Sequence, residues 1–213
     1  MIIIPIGVQC LNAVFKNNIQ KTATLPFDWI FSNPKFVFEI LVLLLEKNIN
    51  IEELVKKHFF YCEKKVKING LEHYYTCDDG TVGYNTKYDV IFPHDDDSIE
   101  TINKYIRRFE RLKDIILHST EKLCFIYSST SSLDSGNFTI DENIIIKDVY
   151  IYLSKIYKLI GKFRNNYKIL LFDAIQEEKI ELLDENIILC KLNKCDDWKE
   201  LLFQMKKYRV FFT

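Results

Sequence analysis

The chain reads as an α/β protein, a mostly parallel open sheet with helices on both faces and a small antiparallel hairpin insertion. Three observations predict this. Short apolar runs at 1–6, 122–127, 168–172 and 187–192 lack clean alternation, as strands covered on both faces do. Stretches with apolar residues at helical spacing lie between them, so strands and helices alternate at both ends of the chain. The segment 59–90 instead carries Asn69-Gly70 and Asp79-Gly80 pairs and alternating Val66/Ile68 and Val82/Tyr84 positions, which are signals of short hairpins. The 213 residues therefore read as a single α/β domain over 1–213, with 59–90 as a hairpin-rich insertion.

The elements follow in order. The β-branched run 1–6 is ended by Gly7 and reads as a buried strand. A helix begins near Cys10 and carries Leu11, Ala13, Val14 and Phe15. The aromatic-rich stretch from Leu25 to Phe31 docks a loop onto the core. Ser32 or Asn33 caps a helix whose first turn holds Pro34 and which runs to about Lys47; a further helix covers 51–58. Val90 to Phe92 is a strand end stopped by Pro93. Ser98 or Asp97 caps a helix to about Leu117, with Ile99, Ile102, Ile106, Phe109, Leu112 and Ile116 on one stripe. A Ser-rich loop at 128–137, a helix at 148–163, a helix at 196–205 and a last strand at 209–212 complete the pattern.

Composition excludes several classes. Hydrophobic residues at 48% and charged residues at 28% are ordinary for a globular chain and exclude wholesale disorder. Lys+Arg 29 against Asp+Glu 30 leaves a net charge of -1, so no global field favours nucleic acid or an anionic membrane. The longest apolar stretch, 36–45, contains Glu39 and is too short to span a bilayer. The six cysteines (Cys10, Cys62, Cys77, Cys124, Cys190 and Cys195) form no CxxC and no tight framework. They read as reduced thiols of a cytoplasmic protein, in the host cytoplasm if the source is viral, with Cys124 and Cys190 as core residues.

Among residues that carry chemistry, Cys10 comes first. It follows a buried strand and opens a helix, where backbone N–H groups stabilise a thiolate and can bind an oxyanion. The alternative is a small buried residue closing the first turn. His94 stands just past a strand end, where α/β proteins place functional residues; the alternative is a solvated loop histidine. His58 and His118 lie near helix C-termini, where the dipole accounts for them, and His73 lies in the hairpin region. Asp95, Asp96 and Asp97 read as helix-capping acids, because the run lacks metal-site spacing. Asp173 follows the 168–172 strand and is the candidate third member of a Cys–His–Asp arrangement, or the cap of a turn. Asp28 competes for that role, but Phe27 and Trp29 beside it point to a buried acid held by backbone N–H groups. Arg107, Arg108 and Arg111 stand out in a chain poor in Arg, and Arg107 or Arg108 is the expected brace of Asp28.

Gly7-x-x-Cys10-x-x-Ala13, Pro26-Phe27-Asp28-Trp29-Ile30, Phe92-x-His94-Asp95 and Tyr105-x-Arg107-Arg108-x-x-Arg111 together resemble one family. It is a papain-like cysteine peptidase family of bacteria and large DNA viruses, formerly a domain of unknown function. The resemblance covers roughly the first 125 residues. It implies Cys10 as nucleophile and His94 as general base, and leaves Asp173 and Asp95 as alternatives for the third member. Gln9 directly precedes Cys10, whereas a papain-type oxyanion glutamine lies several residues further upstream. Gln9, Asp28, Arg107 and Arg108 are therefore candidates for oxyanion or structural support. A papain fold pairs a helical lobe with an antiparallel barrel-like sheet; here the strand–helix alternation decides the expected architecture.

The function expected is a thiol-dependent hydrolase or related acyl-transfer enzyme, acting on a protein or peptide substrate, with no cofactor and no metal. One alternative is a non-enzymatic host-interaction module that uses the Tyr-rich 59–90 segment. A further alternative is a transferase for a phosphorylated or nucleotide-sugar substrate gripped by the Arg helix.

Overall fold

The computed structural model describes residues 1–7, 10–20, 22–30, 32–59, 66–67, 81–85, 90–92, 95, 98–129, 146–173, 180–184, 187–192 and 198–208. Along the chain these form β1 (Ile2–Pro5), α1 (Cys10–Ile19), α2 (Pro34–Leu41), α3 (Ile51–Glu53), β2 (Val66–Lys67), β3 (Thr81–Asn85) and β4 (Val90–Phe92). They continue with α4 (Ile99–His118), β5 (Leu123–Ser129), α5 (Ile146–Gly161), β6 (Tyr167–Asp173), β7 (Ile180–Asp184), β8 (Ile187–Lys191) and α6 (Trp198–Lys207).

The main sheet has the order β1-β5-β6-β8-β7. β1, β5, β6 and β8 run parallel, so the apolar runs at both ends of the chain are neighbours in one sheet, as their lack of alternation requires. β7 closes one edge antiparallel to β8, a strand the sequence pattern does not single out. β3 pairs antiparallel with β2 and with β4 outside this sheet. The turns expected at Asn69-Gly70 and Asp79-Gly80, and the strand expected at 209–212, lie outside the described residues.

Both faces of the sheet are covered. Ile4, Ile6, Leu123, Phe125, Tyr127, Ile169 and Leu171 point into one core with residues of α2, α4 and α5. Ile3, Cys124, Ile126, Leu170, Phe172 and Cys190 point into the other, with Phe15 of α1 and Leu202 and Met205 of α6. Alternate residues of each strand thus serve opposite cores, which is the period-2 rule of a strand buried on both sides. The first core is held by edge-to-face rings around Phe59, whose centroid is 4.7 Å from that of Phe109 and 5.3 Å from that of Phe92.

Local signals set the helix ends. Asn33, not Ser32, caps α2: its side chain accepts from Phe36 N–H at 2.8 Å, and Pro34 occupies the first turn. The helix then widens into π turns over Val42–Glu46, where Lys47 N–H reaches back to the Val42 carbonyl. Asn48 follows in the left-handed region at φ 47, the conformation that commonly ends a helix. Ser98 caps α4 by accepting from Thr101 N–H. At the other end Arg164 donates to the carbonyls of Ile115, Ile116 and Ser119, satisfying groups the helix itself cannot. Among the described residues no helix is long and apolar enough to cross a membrane.

Candidate active site at the carboxyl edge of the sheet

Cys10 is the first residue of the ten-residue helix α1, which follows directly on the carboxyl end of β1. The opening N–H groups of a helix have no intrahelical acceptor and point out of its start, so this end offers donors to a thiolate or an oxyanion. Gly7, just past the end of β1, is drawn tight against the sheet. A Cβ on Gly7 would stand 2.9 Å from the Ser128 backbone nitrogen, 3.1 Å from Tyr127 Cα and 2.4 Å from Asn12 Nδ2. Only glycine allows the backbone to approach β5 this closely.

Three polar side chains gather around Gly7, a place the sequence pattern assigns to none of them: it marks Ser32 as a helix cap and Ser128 as loop. Ser32 donates to the Gly7 carbonyl at 3.4 Å. Asn12 and Ser128 are 0% exposed, and among the described residues neither amide atom of Asn12 nor the Ser128 hydroxyl has a hydrogen-bond partner. Buried polar atoms are nearly always paired, and leaving one orphaned costs about 1–3 kcal/mol; Thr22 Oγ1, Asp28 Oδ1 and Arg108 Nη1 are orphaned likewise.

The remaining candidates fall as follows. Asp173 ends β6 in register with Ser129 of β5, which puts it at the same carboxyl edge as the β1–α1 turn, with β5 between them. Gln9 and His94 lie outside the described residues. Asp95, which follows His94 in the chain, is buried, and both of its carboxylate oxygens are engaged. Oδ1 pairs with the Lys104 ammonium and Oδ2 accepts from the Tyr105 hydroxyl. Asp95 therefore anchors its loop to the start of α4.

Asp28 is buried and accepts from Leu25 N–H at 3.0 Å, as expected for an acid flanked by aromatic residues. Its ion-pair partner corrects the sequence reading. The Lys16 ammonium of α1, at 2.7 Å, takes the place expected for Arg107 or Arg108. Lys16 is 0% exposed and also donates to the Ala23 carbonyl. Burial pushes the Asp28 carboxyl above its ordinary value, while Lys16, the Leu25 N–H and more distant Arg108 draw it back without cancelling the burial. Lys16 was legible in principle: it falls on the same side of α1 as Asn12 and Ala13, an inward stripe where a lysine demands an acid. Arg107 is exposed on α4. Arg108 lies over the Tyr105 ring, 5.1 Å from its centroid, and among the described residues its buried Nη1 has no hydrogen-bond acceptor. Arg111 donates to the Thr24 carbonyl.

Two thiols lie inside the sheet. Burial pushes Cys124 and Cys190 up to about 12, so both are fully protonated and inert near neutrality. Among the described residues no three His, Cys, Asp or Glu side chains stand together as a metal site.

No curated protein and no solved structure matches the chain. A family model described as "Putative papain-like cysteine peptidase" matches residues 2–149. That span includes β1, the start of α1, the Asp28 segment, the loop of Asp95, α4 and β5; Asp173 lies beyond it. The parallel sheet covered on both faces differs from the antiparallel barrel-like sheet of a papain fold. With more than half of its length matched, the chain belongs to this papain-like cysteine peptidase family.

Proposed function

We propose that the protein is a thiol-dependent hydrolase of peptide or related acyl bonds, with Cys10 as nucleophile and His94 as general base. The observation that carries this reading is the position of Cys10, the first residue of α1 at the carboxyl edge of a parallel sheet. The imidazole takes the thiol proton, and the thiolate attacks the carbonyl carbon. N–H groups at the start of α1 hold the oxyanion. The tetrahedral adduct expels the leaving group, which takes the proton from the imidazolium, and water then releases the acid from the thioester. Asp173 is the better choice to orient the imidazole, because both oxygens of Asp95 are already engaged by α4. Asp95 then sets the position of the loop that carries His94.

Alkylation by iodoacetamide tests the reading. At neutral pH Cys10 should react about 100-fold faster than Cys124 or Cys190, whose thiols stay protonated. His94→Ala should slow Cys10 selectively, and Cys10→Ser should abolish turnover with the fold intact. A Cys10 no more reactive than the sheet thiols would sink the hydrolase and favour a non-enzymatic interaction module.

A further inference from the structure

The proposed chemistry leaves one cleft of the molecule without a task. Past the π turns of Val42–Glu46, Asn48 takes up φ 47 and the chain reverses into α3. Asn50 caps α3, its side chain accepting from the N–H groups of Glu52 and Glu53. Between this 48–52 segment and α4 lies a cleft of about 420 Å³. Sites for small ligands run from roughly 300 to 1,000 Å³. The apolar part of the cleft is made by Ile49, Ile51 and Ile106, each only partly buried against the first core. Their open surface is what an apolar ligand would remove from water.

The charged groups lining the cleft are Glu52, Glu110 and Lys113. Glu52 is taken by Lys56 one turn further on. Glu110 and Lys113 stand three residues apart on α4, a spacing at which helix neighbours can pair. They do not: Lys113 donates to Asn48 Oδ1, a neutral acceptor, and among the described residues Glu110 has no ion-pair or hydrogen-bond partner. Both side chains reach solvent, Glu110 exposed and Lys113 half-buried. The cleft thus offers one carboxylate and one ammonium, neither neutralised by the protein, beside an apolar floor. From this pattern we infer that it binds a small zwitterion with an apolar side chain, an amino acid or a short peptide. Glu110 meets the ligand's ammonium, Lys113 its carboxylate, and the three isoleucines its side chain. The inference does not depend on the hydrolase reading.

The test titrates the isotope-labelled full chain at low salt and follows backbone amide NMR shifts. L-leucine should move the amides of residues 48–52 and of Ile106, Glu110 and Lys113, with a Kd on the order of 1 mM. Leucinamide lacks the carboxylate and isocaproate lacks the ammonium; each should bind about threefold more weakly, the worth of one solvent-exposed ion pair. Lys113→Met should make leucine and leucinamide equal while isocaproate stays weaker, and Glu110→Gln should do the reverse. Asp114→Asn, exposed and outside the cleft, should keep both differences. The amide spectrum of each free variant reports that the fold is kept. Leucyl-leucine, whose two charges stand further apart, distinguishes the sources: weaker than leucine, it makes the ligand a free amino acid; tighter, a short peptide. No shift at these amides with about 20 mM leucine, equal affinity for the three probes, or a difference that survives its own substitution overturns the site and leaves the hydrolase reading untouched.

Discussion

The two faces of the sheet are built differently. The face under α2, α4 and α5 is an aromatic core in which Phe27, Phe36, Phe59, Phe92, Tyr105 and Phe109 interlock. The face under α1 and α6 is made by helices from the two ends of the chain and admits polar groups. Lys168 and Gln204 lie buried there, and Asn12 and Ser128 lie at its carboxyl end. Among the described residues both leave buried polar atoms unpaired: Arg108 Nη1 and Asp28 Oδ1 beside the aromatic core, and Asn12 and Ser128 where α1 begins. The contrast is therefore one of composition, an aromatic core on one side and a face that admits buried Lys and Gln on the other. The Lys16–Asp28 pair joins the two, tying the helix on one face to the segment packed on the other.

Breaking that tie should give the largest effect. Lys16→Met strands the Asp28 carboxylate inside, and Asp28→Ala strands the ammonium. Either should cost about 3–5 kcal/mol of unfolding free energy, read as a lower urea midpoint. The double change to Met and Leu should recover much of it, since two apolar groups leave no buried charge. A single variant with an unchanged midpoint would show that the two faces are not coupled here.

The buried thiols of the second face should appear as an alkaline weakness. Their native values are raised from 9.0 to about 12, so between these limits the unfolded chain loses protons that the native protein keeps. The unfolded state then binds fewer protons, and stability falls as pH rises from about 9 to about 12; below 9 the contribution is fully present. The slope is up to about 1.4 kcal/mol per pH unit for each thiol. Lys104, lowered from 10.5 to about 8, acts in the opposite sense between those two values. Urea midpoints from pH 8 to 11 should therefore fall less steeply in a Cys124→Ala, Cys190→Ala double variant than in the native protein. Parallel profiles would place these thiols in contact with water.

The smallest effect should have the opposite sign. Ser128→Ala removes a hydroxyl that has no partner, so it should leave stability unchanged or raise it by about 1 kcal/mol. A loss of that size would mean that the hydroxyl is paired in solution.

Much of the fold was legible because period and punctuation are local. The apolar runs gave the parallel strands, Asn33-Pro34 and Ser98 gave two helix starts, and Gly7 before Cys10 gave the strand-to-helix turn. β7 was not legible, since a short edge strand after an acidic stretch lacks both alternation and β-branched density. The family motif was equally local and pointed to Cys10, His94 and the Arg helix.

Partnership was a different matter. The sequence by itself determined that Asp28 is buried, because Phe27 and Trp29 beside it leave no other place for the segment. It could not determine that Lys16 answers Asp28 while Arg108 is left with an unfilled nitrogen. Distance between side chains on α1, the Asp28 segment and α4 depends on how three elements far apart in the chain pack against one edge of the sheet. The same holds for Asp95, a capping acid by its neighbours in sequence and an anchor to Lys104 and Tyr105 in the folded chain. Burial is encoded in patterns of a few residues, whereas the choice of charge partner is made only when helices and sheet have fixed the geometry.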